Sequence, residues 1–114
     1  MHKALIVDDN ADIRKLLSRA LQMEGYEVMV AENGEAARQR ILEEKPCVIL
    51  LDLMMPVMDG KQFLTWKNEQ SDLDDVPVII ISALSDNTLQ GVRAALKKPI
   101  DLDELFSVVD QLCA

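Results

Sequence analysis

Two hydrophobic periods alternate along the chain. Ala4–Val7 is a continuous apolar tetrad, short enough for a strand buried on both faces. Beyond it, Ile13, Leu16, Leu17, Ala20 and Leu21 recur at i, i+3, i+4, i+7 and i+8, which is one face of a helix. Gly25 stands where such a helix stops. Val28, Met29 and Val30 form a second strand-like cluster within 27–31, and Asn33-Gly34 marks a turn. Residues 35–44 read as a second helix with Ala37 and Ile41 inward. Pro46 precedes the apolar run Val48–Leu51, and Pro77 opens another at Val78–Ile81. Between them, Met55-Pro56 and Asp59-Gly60 punctuate a loop. A short helix carrying Phe63, Leu64 and Trp66 follows, and then a polar, acidic stretch, Glu69–Asp75, that reads as an exposed loop. Residues 83–92 show no clear period. Ala94–Leu96 is a weaker strand. Asp101 and Glu104 have the spacing of a capping box, opening a last helix with Leu105, Val108, Val109 and Leu112 inward.

Strand and helix therefore alternate as βαβαβαβ, then an ambiguous piece, then βα. Such alternation predicts a parallel sheet covered on both faces. With 114 residues, the prediction is one domain spanning 1–114. Twenty acids against twelve bases give a net charge of −8. That argues against direct nucleic-acid binding and against a membrane surface, since both need clustered Lys and Arg. No apolar run approaches the roughly 20 residues that span a bilayer. Met1-His2-Lys3 leads into no signal-peptide pattern, so a cytoplasmic location is expected. Cys47 and Cys113 read as reduced thiols rather than a disulfide framework. His2 reads as solvated, Trp66 as part of the core, and Asp72, Asp74 and Asp75 as solvated loop acids.

The position of the polar residues changes the picture. Val7 is followed by Asp8 and Asp9, Leu51 by Asp52, Ile81 by Ser82, and Leu96 by Lys97 and Lys98. Open parallel sheets bind ligands beyond the carboxyl ends of their strands, at the topological switch point. In a sheet of order 2-1-3-4-5 that point lies between strands one and three, where Asp8, Asp9 and Asp52 would converge, flanked by Ser82 and Lys98. Three carboxylates in one crevice call for a cation, and all-oxygen donors with room for water suit Mg²⁺. A carboxylate nucleophile, a dication, a hydroxyl and a lysine together make a phosphoryl-acceptor site. Singly, each residue has a plainer reading: Asp8 and Asp9 as helix caps, Asp52 in a turn, Ser82 at a strand end, and Lys97 and Lys98 as solvated charges. Their coincidence at one sheet edge favours the site.

These residues resemble the receiver domain of two-component response regulators. The resemblance rests on Leu5-Ile6-Val7-Asp8-Asp9, the block Leu51-Asp52-Leu53-Met54-Met55-Pro56-Val57-Met58-Asp59-Gly60, Ser82-Ala83 and Lys98-Pro99, in the family's order. It implies a flavodoxin-like α/β fold, a doubly wound five-stranded parallel sheet of order 2-1-3-4-5. It implies that Asp52 accepts a phosphoryl group from a phosphohistidine of a histidine kinase or phosphotransfer protein, with Lys98 and Ser82 contacting it. Asp8, Asp9, Asp52 and the main-chain carbonyl of Met54 would hold Mg²⁺. A conformational switch would act on an output protein or domain, and a homodimer is compatible with the family. The resemblance also implies a cis peptide between Lys98 and Pro99.

Two departures stand out. Ala95 replaces the aromatic usual three positions before the lysine. Ser82 and Lys98 are 98 − 82 = 16 positions apart, about six fewer than usual, which predicts a shortened or missing fourth helix around Ser85–Gln90. Met54 and Leu84, both apolar at positions that tune water access in the family, predict slow self-dephosphorylation. The rival readings are a pseudo-receiver acting as a constitutive interaction module, an aspartyl-phosphate hydrolase, and a flavin carrier. Met54 stands where the hydrolases carry a second aspartate, and the acidic loop after the first strand would repel a flavin phosphate.

Overall fold

The computed structural model describes residues 2–53, 57–82 and 92–113. Their elements run β1 (Lys3–Val7), α1 (Ala11–Met23), β2 (Glu27–Ala31), α2 (Gly34–Glu43), β3 (Val48–Leu51), α3 (Gly60–Asn68), β4 (Val78–Ser82), β5 (Val92–Lys97) and α4 (Leu102–Leu112). The five strands form one parallel sheet of order β2-β1-β3-β4-β5, the order expected. The expectations of a short fourth helix at 85–90 and of an apolar Leu84 beside the site fall outside the described residues.

The apolar runs are buried at every position because the sheet is covered twice. The period of two along each strand sorts the side chains onto its faces. Leu5, Val7, Ile49, Leu51, Val78 and Ile80 pack with Ala37 and Ile41 of α2 and Phe63 and Leu64 of α3. Ala4, Ile6, Val48, Leu50, Ile79 and Ile81 pack with Leu17 and Leu21 of α1 and Leu105 and Val109 of α4. Each fully buried Leu or Ile contributes roughly 1.5–3 kcal/mol of transfer free energy. Trp66 is half-buried against the first of these cores, with its ring centroid 5.9 Å from that of Phe63.

Side-chain caps set where the helices begin. Asn10 accepts from the backbone N–H groups of Asp12 and Ile13 to start α1, and Asn33 from Ala36 to start α2. Asp101 accepts from Asp103 and Glu104 to start α4. A reciprocal capping box forms at α3, between Asp59 and Gln62.

Several local expectations are corrected. Leu16 is 49 % exposed, because it lies at the edge of a stripe centred on Leu17. The acidic stretch after α3 is not a plain exposed loop: it holds a 3-10 turn at Ser71–Leu73, with Leu73 and Val76 buried. Cys47 and Cys113 are not separate thiols. They are joined by a disulfide with Cα atoms 5.9 Å apart. Cys47 immediately precedes β3 and Cys113 caps the end of α4, so both lie at the amino-terminal edge of the sheet.

Tyr26, the only tyrosine, donates its hydroxyl to Asp110 at 2.7 Å. Burial first, and then the Asp110 carboxylate, push its pKa up to about 12. The raised value means that this contribution to stability is complete below the ordinary value near 10 and is lost as pH rises through 12. Absorbance titration of the folded chain is expected to give a phenolate midpoint near 12, against about 10 in denaturant. Coincident midpoints would contradict the buried bond.

Candidate functional site

The register of the sheet brings the acidic residues together. Val7 pairs with Leu51, so Asp8 and Asp52 leave adjacent strands side by side at the carboxyl edge. The Asp52 N–H donates to the Val7 carbonyl at 2.9 Å, and the Asp8 N–H to the Ala31 carbonyl at 3.1 Å. The ladder thus holds both main chains one residue past the strand ends. Ser82 ends β4 opposite Lys97 of β5. Its carbonyl accepts the Lys98 N–H at 2.9 Å, and the peptide from Lys98 to Pro99 is cis, as expected.

Carboxylate oxygens of Asp8, Asp9 and Asp52 all lie within 4.8 Å of one another. Asp8, Asp52 and Ser82 are buried, at 2, 5 and 1 % exposure, and Asp9 is exposed. The Lys98 ammonium bridges the two buried acids, 3.2 Å from Asp8 Oδ2 and 3.4 Å from Asp52 Oδ2. Burial by itself pushes the Lys98 pKa down. The hydrogen bond to Asp8 and the charges of Asp8 and Asp52 outweigh it, leaving the pKa above the usual lysine value. The other oxygen of Asp8, Oδ1, accepts the Asn10 N–H at 2.9 Å. Because Asn10 caps α1, helix capping does not account for Asp8 and Asp9.

Three carboxylates and one ammonium give these described side chains a formal charge of −2. Buried like charges at this range are costly unless a cation compensates them. An oxygen-only donor set, partly open through Asp9, fits a hard dication that keeps some of its water. The Met54 carbonyl, expected to join such a site, lies outside the described residues.

Arg14 is a residue of the site that the strand-end pattern does not reveal. Its guanidinium donates to the Asp8 carbonyl at 2.7 Å, tying α1 to the loop that carries the acids. The one available signal was an arginine on the first turn of the helix after an acid pair. Buried Lys67 of α3 was missed as well. Burial lowers its pKa, and it lies away from the acidic edge.

Gly60, at the start of α3, closes the floor behind Asp52. A Cβ there would stand 2.6 Å from Leu53 Cα and 2.7 Å from the Asp52 carbonyl oxygen. The Gly60 N–H also donates to the Leu53 carbonyl at 3.1 Å. Gly60→Ala must displace backbone on both sides, and an overpacking cost of about 2–3 kcal/mol is expected. Urea denaturation checks it, and a change under about 0.5 kcal/mol would contradict this close approach.

The family model described as response regulator receiver domain matches residues 4–110. The transcriptional regulatory protein PrrA of Mycobacterium tuberculosis is 37 % identical over 116 residues, covering 96 % of this chain and 49 % of that protein. The chain thus spans about half the length of that curated relative. Among solved structures, the receiver domain of a signal transduction histidine kinase from Syntrophus aciditrophicus has a TM-score of 0.91 at 31 % identity, covering 99 % of this chain and 90 % of its own. The response regulator TrrA of Thermotoga maritima, solved with Mg²⁺ and BeF, has a TM-score of 0.88 at 32 % identity, covering 98 % of this chain and 99 % of its own.

Proposed function

Since the chain belongs to the response regulator receiver domain family, a family of signalling domains, we propose that its acidic edge is a phosphoacceptor site and that Asp52 takes the phosphoryl group. The single observation that carries this is the Lys98 ammonium held between two buried carboxylates, Asp8 and Asp52. An Asp52 carboxylate oxygen attacks phosphorus. A bond from phosphorus to Asp52 forms as the bond to the donor's leaving group breaks. With a kinase or phosphotransfer protein, that leaving group is a histidine imidazole.

Asp8, Asp9 and Asp52 would hold a Mg²⁺ ion, which when bound supplies positive charge to the phosphoryl oxygens. Lys98 offers a second positive charge at the same place, and the Ser82 hydroxyl offers a donor from the neighbouring strand. Phosphorylation adds charge and acceptor oxygens beside Lys98 and Ser82. A shift between two conformations then follows only if those groups meet the phosphoryl group differently in each. The readout would be an output protein or domain. A cytoplasmic location follows from the proposed donor. Among the described residues no helix is long and apolar enough to cross a membrane.

Incubation with acetyl phosphate and Mg²⁺ is expected to add one phosphoryl group by intact mass, and a chelator such as EDTA to prevent it. No adduct in Mg²⁺ would mean that the domain acts as a constitutive interaction module. Continuous release of phosphate from a phosphate ester would identify a hydrolase instead.

A further inference from the structure

The opposite edge of the sheet carries a second cluster of metal-ligating side chains. One donor atom each from His2, Cys47 and Cys113 lies within 4.8 Å of the other two. His2 directly precedes β1, Cys47 directly precedes β3, and Cys113 caps the end of α4. Parallel topology places all three at the amino-terminal edge, away from the acidic site at the carboxyl edge.

The cluster is held by backbone on adjacent strands. The Glu27 N–H donates to the His2 carbonyl at 2.9 Å, and the Cys47 N–H to the Lys3 carbonyl at 2.7 Å. The His2 ring is tilted against Tyr26, with centroids 5.9 Å apart, and Tyr26 is anchored to α4 through Asp110. The Cys113 N–H donates to the Val109 carbonyl at 2.9 Å. His2 is exposed, Cys47 half-buried and Cys113 buried, so an ion could enter from the His2 side.

We propose that these three residues form a zinc site whenever the two sulfurs are reduced, so that the disulfide and the ion are alternative occupants of one place. A dithiol reductant opens the Cys47–Cys113 bond, giving two thiols and leaving as its own disulfide. Zn²⁺ then displaces the two thiol protons to solvent. Two thiolates and one imidazole match the borderline-soft character of Zn²⁺, with the fourth tetrahedral position left to water. Zn–S bonds of about 2.3 Å set tetrahedral sulfurs about 3.8 Å apart. The Cα separation of 5.9 Å accommodates that spacing by side-chain rotation alone. Oxygen donors define the acidic edge and sulfur donors this one, so Mg²⁺ and Zn²⁺ would sort between them by ligand chemistry.

The test uses the full chain, reduced with a dithiol and desalted without oxygen, in excess Mg²⁺. One equivalent of Zn²⁺ is expected to be retained against a chromophoric chelator. Co²⁺ is expected to give thiolate-to-metal charge-transfer absorption. Cys113→Ser, its fold checked by circular dichroism, should lose that absorption. His2→Ala should weaken Zn²⁺ binding by at least about tenfold, and Asp52→Asn should leave the absorption in place. No retained Zn²⁺ in the reduced chain would overturn the site, as would Co²⁺ absorption that survives Cys113→Ser. Unchanged affinity in His2→Ala would overturn the three-ligand assignment. Zn²⁺ retention lost in Asp52→Asn but kept in Cys113→Ser would assign the ion to the acidic edge and overturn the site.

Discussion

Asp52→Asn is expected to abolish phosphoryl incorporation while making the metal-free domain slightly more stable. The two effects have one cause. In the proposed site Asp52 is the acceptor; Lys98 lies against it, and the two oxygens of Asp8 are engaged by Asn10 and Lys98. Asp9 is exposed and so lies outside the buried part of the pocket. Removing the Asp52 charge leaves no equivalent nucleophile and relieves repulsion between buried carboxylates. The expected gain in metal-free stability is on the order of 1 kcal/mol. Intact mass with acetyl phosphate and Mg²⁺ reads the first effect, and urea denaturation in EDTA reads the second. A loss of stability in Asp52→Asn would mean that attraction to Lys98 outweighs the repulsion and that the cluster has little need of a dication.

Lys98→Ala is expected to act in the opposite direction on stability, by about 3 kcal/mol in the absence of metal. Its ammonium contacts two carboxylates of 3 and 6 % side-chain exposure. Removing the cation of a buried ion pair leaves the desolvated carboxylates with less compensating charge, which costs more than the pair itself contributes. Mg²⁺ should restore part of the loss, because an ion that binds only the folded state adds about 2.7 kcal/mol at one hundred times its dissociation constant. The raised pKa of Lys98 fixes the sign of the pH dependence. The ion-pair contribution is complete below the ordinary lysine value and fades as pH climbs through the higher folded value. The double variant Asp52→Asn/Lys98→Ala should be more stable than Lys98→Ala alone. Equal stabilities would show that the three groups are not coupled.

The core and the acidic edge were legible in the sequence because the physics there is local. A strand covered on both faces must be apolar at every position, and Ala4–Val7, Val48–Leu51 and Val78–Ile81 say so without help from the rest of the chain. A parallel sheet sends all its strand ends to one edge, so the residue after each run locates itself. Leu16 misled because a helix-period pattern does not say how wide the buried stripe is. Leu73 and Val76 were hidden because two apolar residues among acids carry too little period to announce a turn packed beneath α3. Lys67 is buried by its neighbours, which a single helix pattern does not show.

The disulfide between Cys47 and Cys113 was missed for another reason. The two cysteines are 66 residues apart, and only the topology says that the start of a central strand and the end of the last helix share an edge. The same logic that assembled Asp8, Asp52, Ser82 and Lys98 at the carboxyl edge applies to the amino-terminal edge. It brings His2, Cys47 and Cys113 together there. Arg14 is intermediate: its helix was predicted, but its reach to the Asp8 carbonyl depends on how α1 leaves the loop.

Borohydride trapping tests the central assignment most directly. Reduction of an aspartyl phosphate converts that residue to homoserine, and tandem mass spectrometry reads its position. After treatment with acetyl phosphate and Mg²⁺, homoserine is expected at position 52 alone. Homoserine at position 8 or 9, or at none of the three, would contradict Asp52 as the phosphoacceptor.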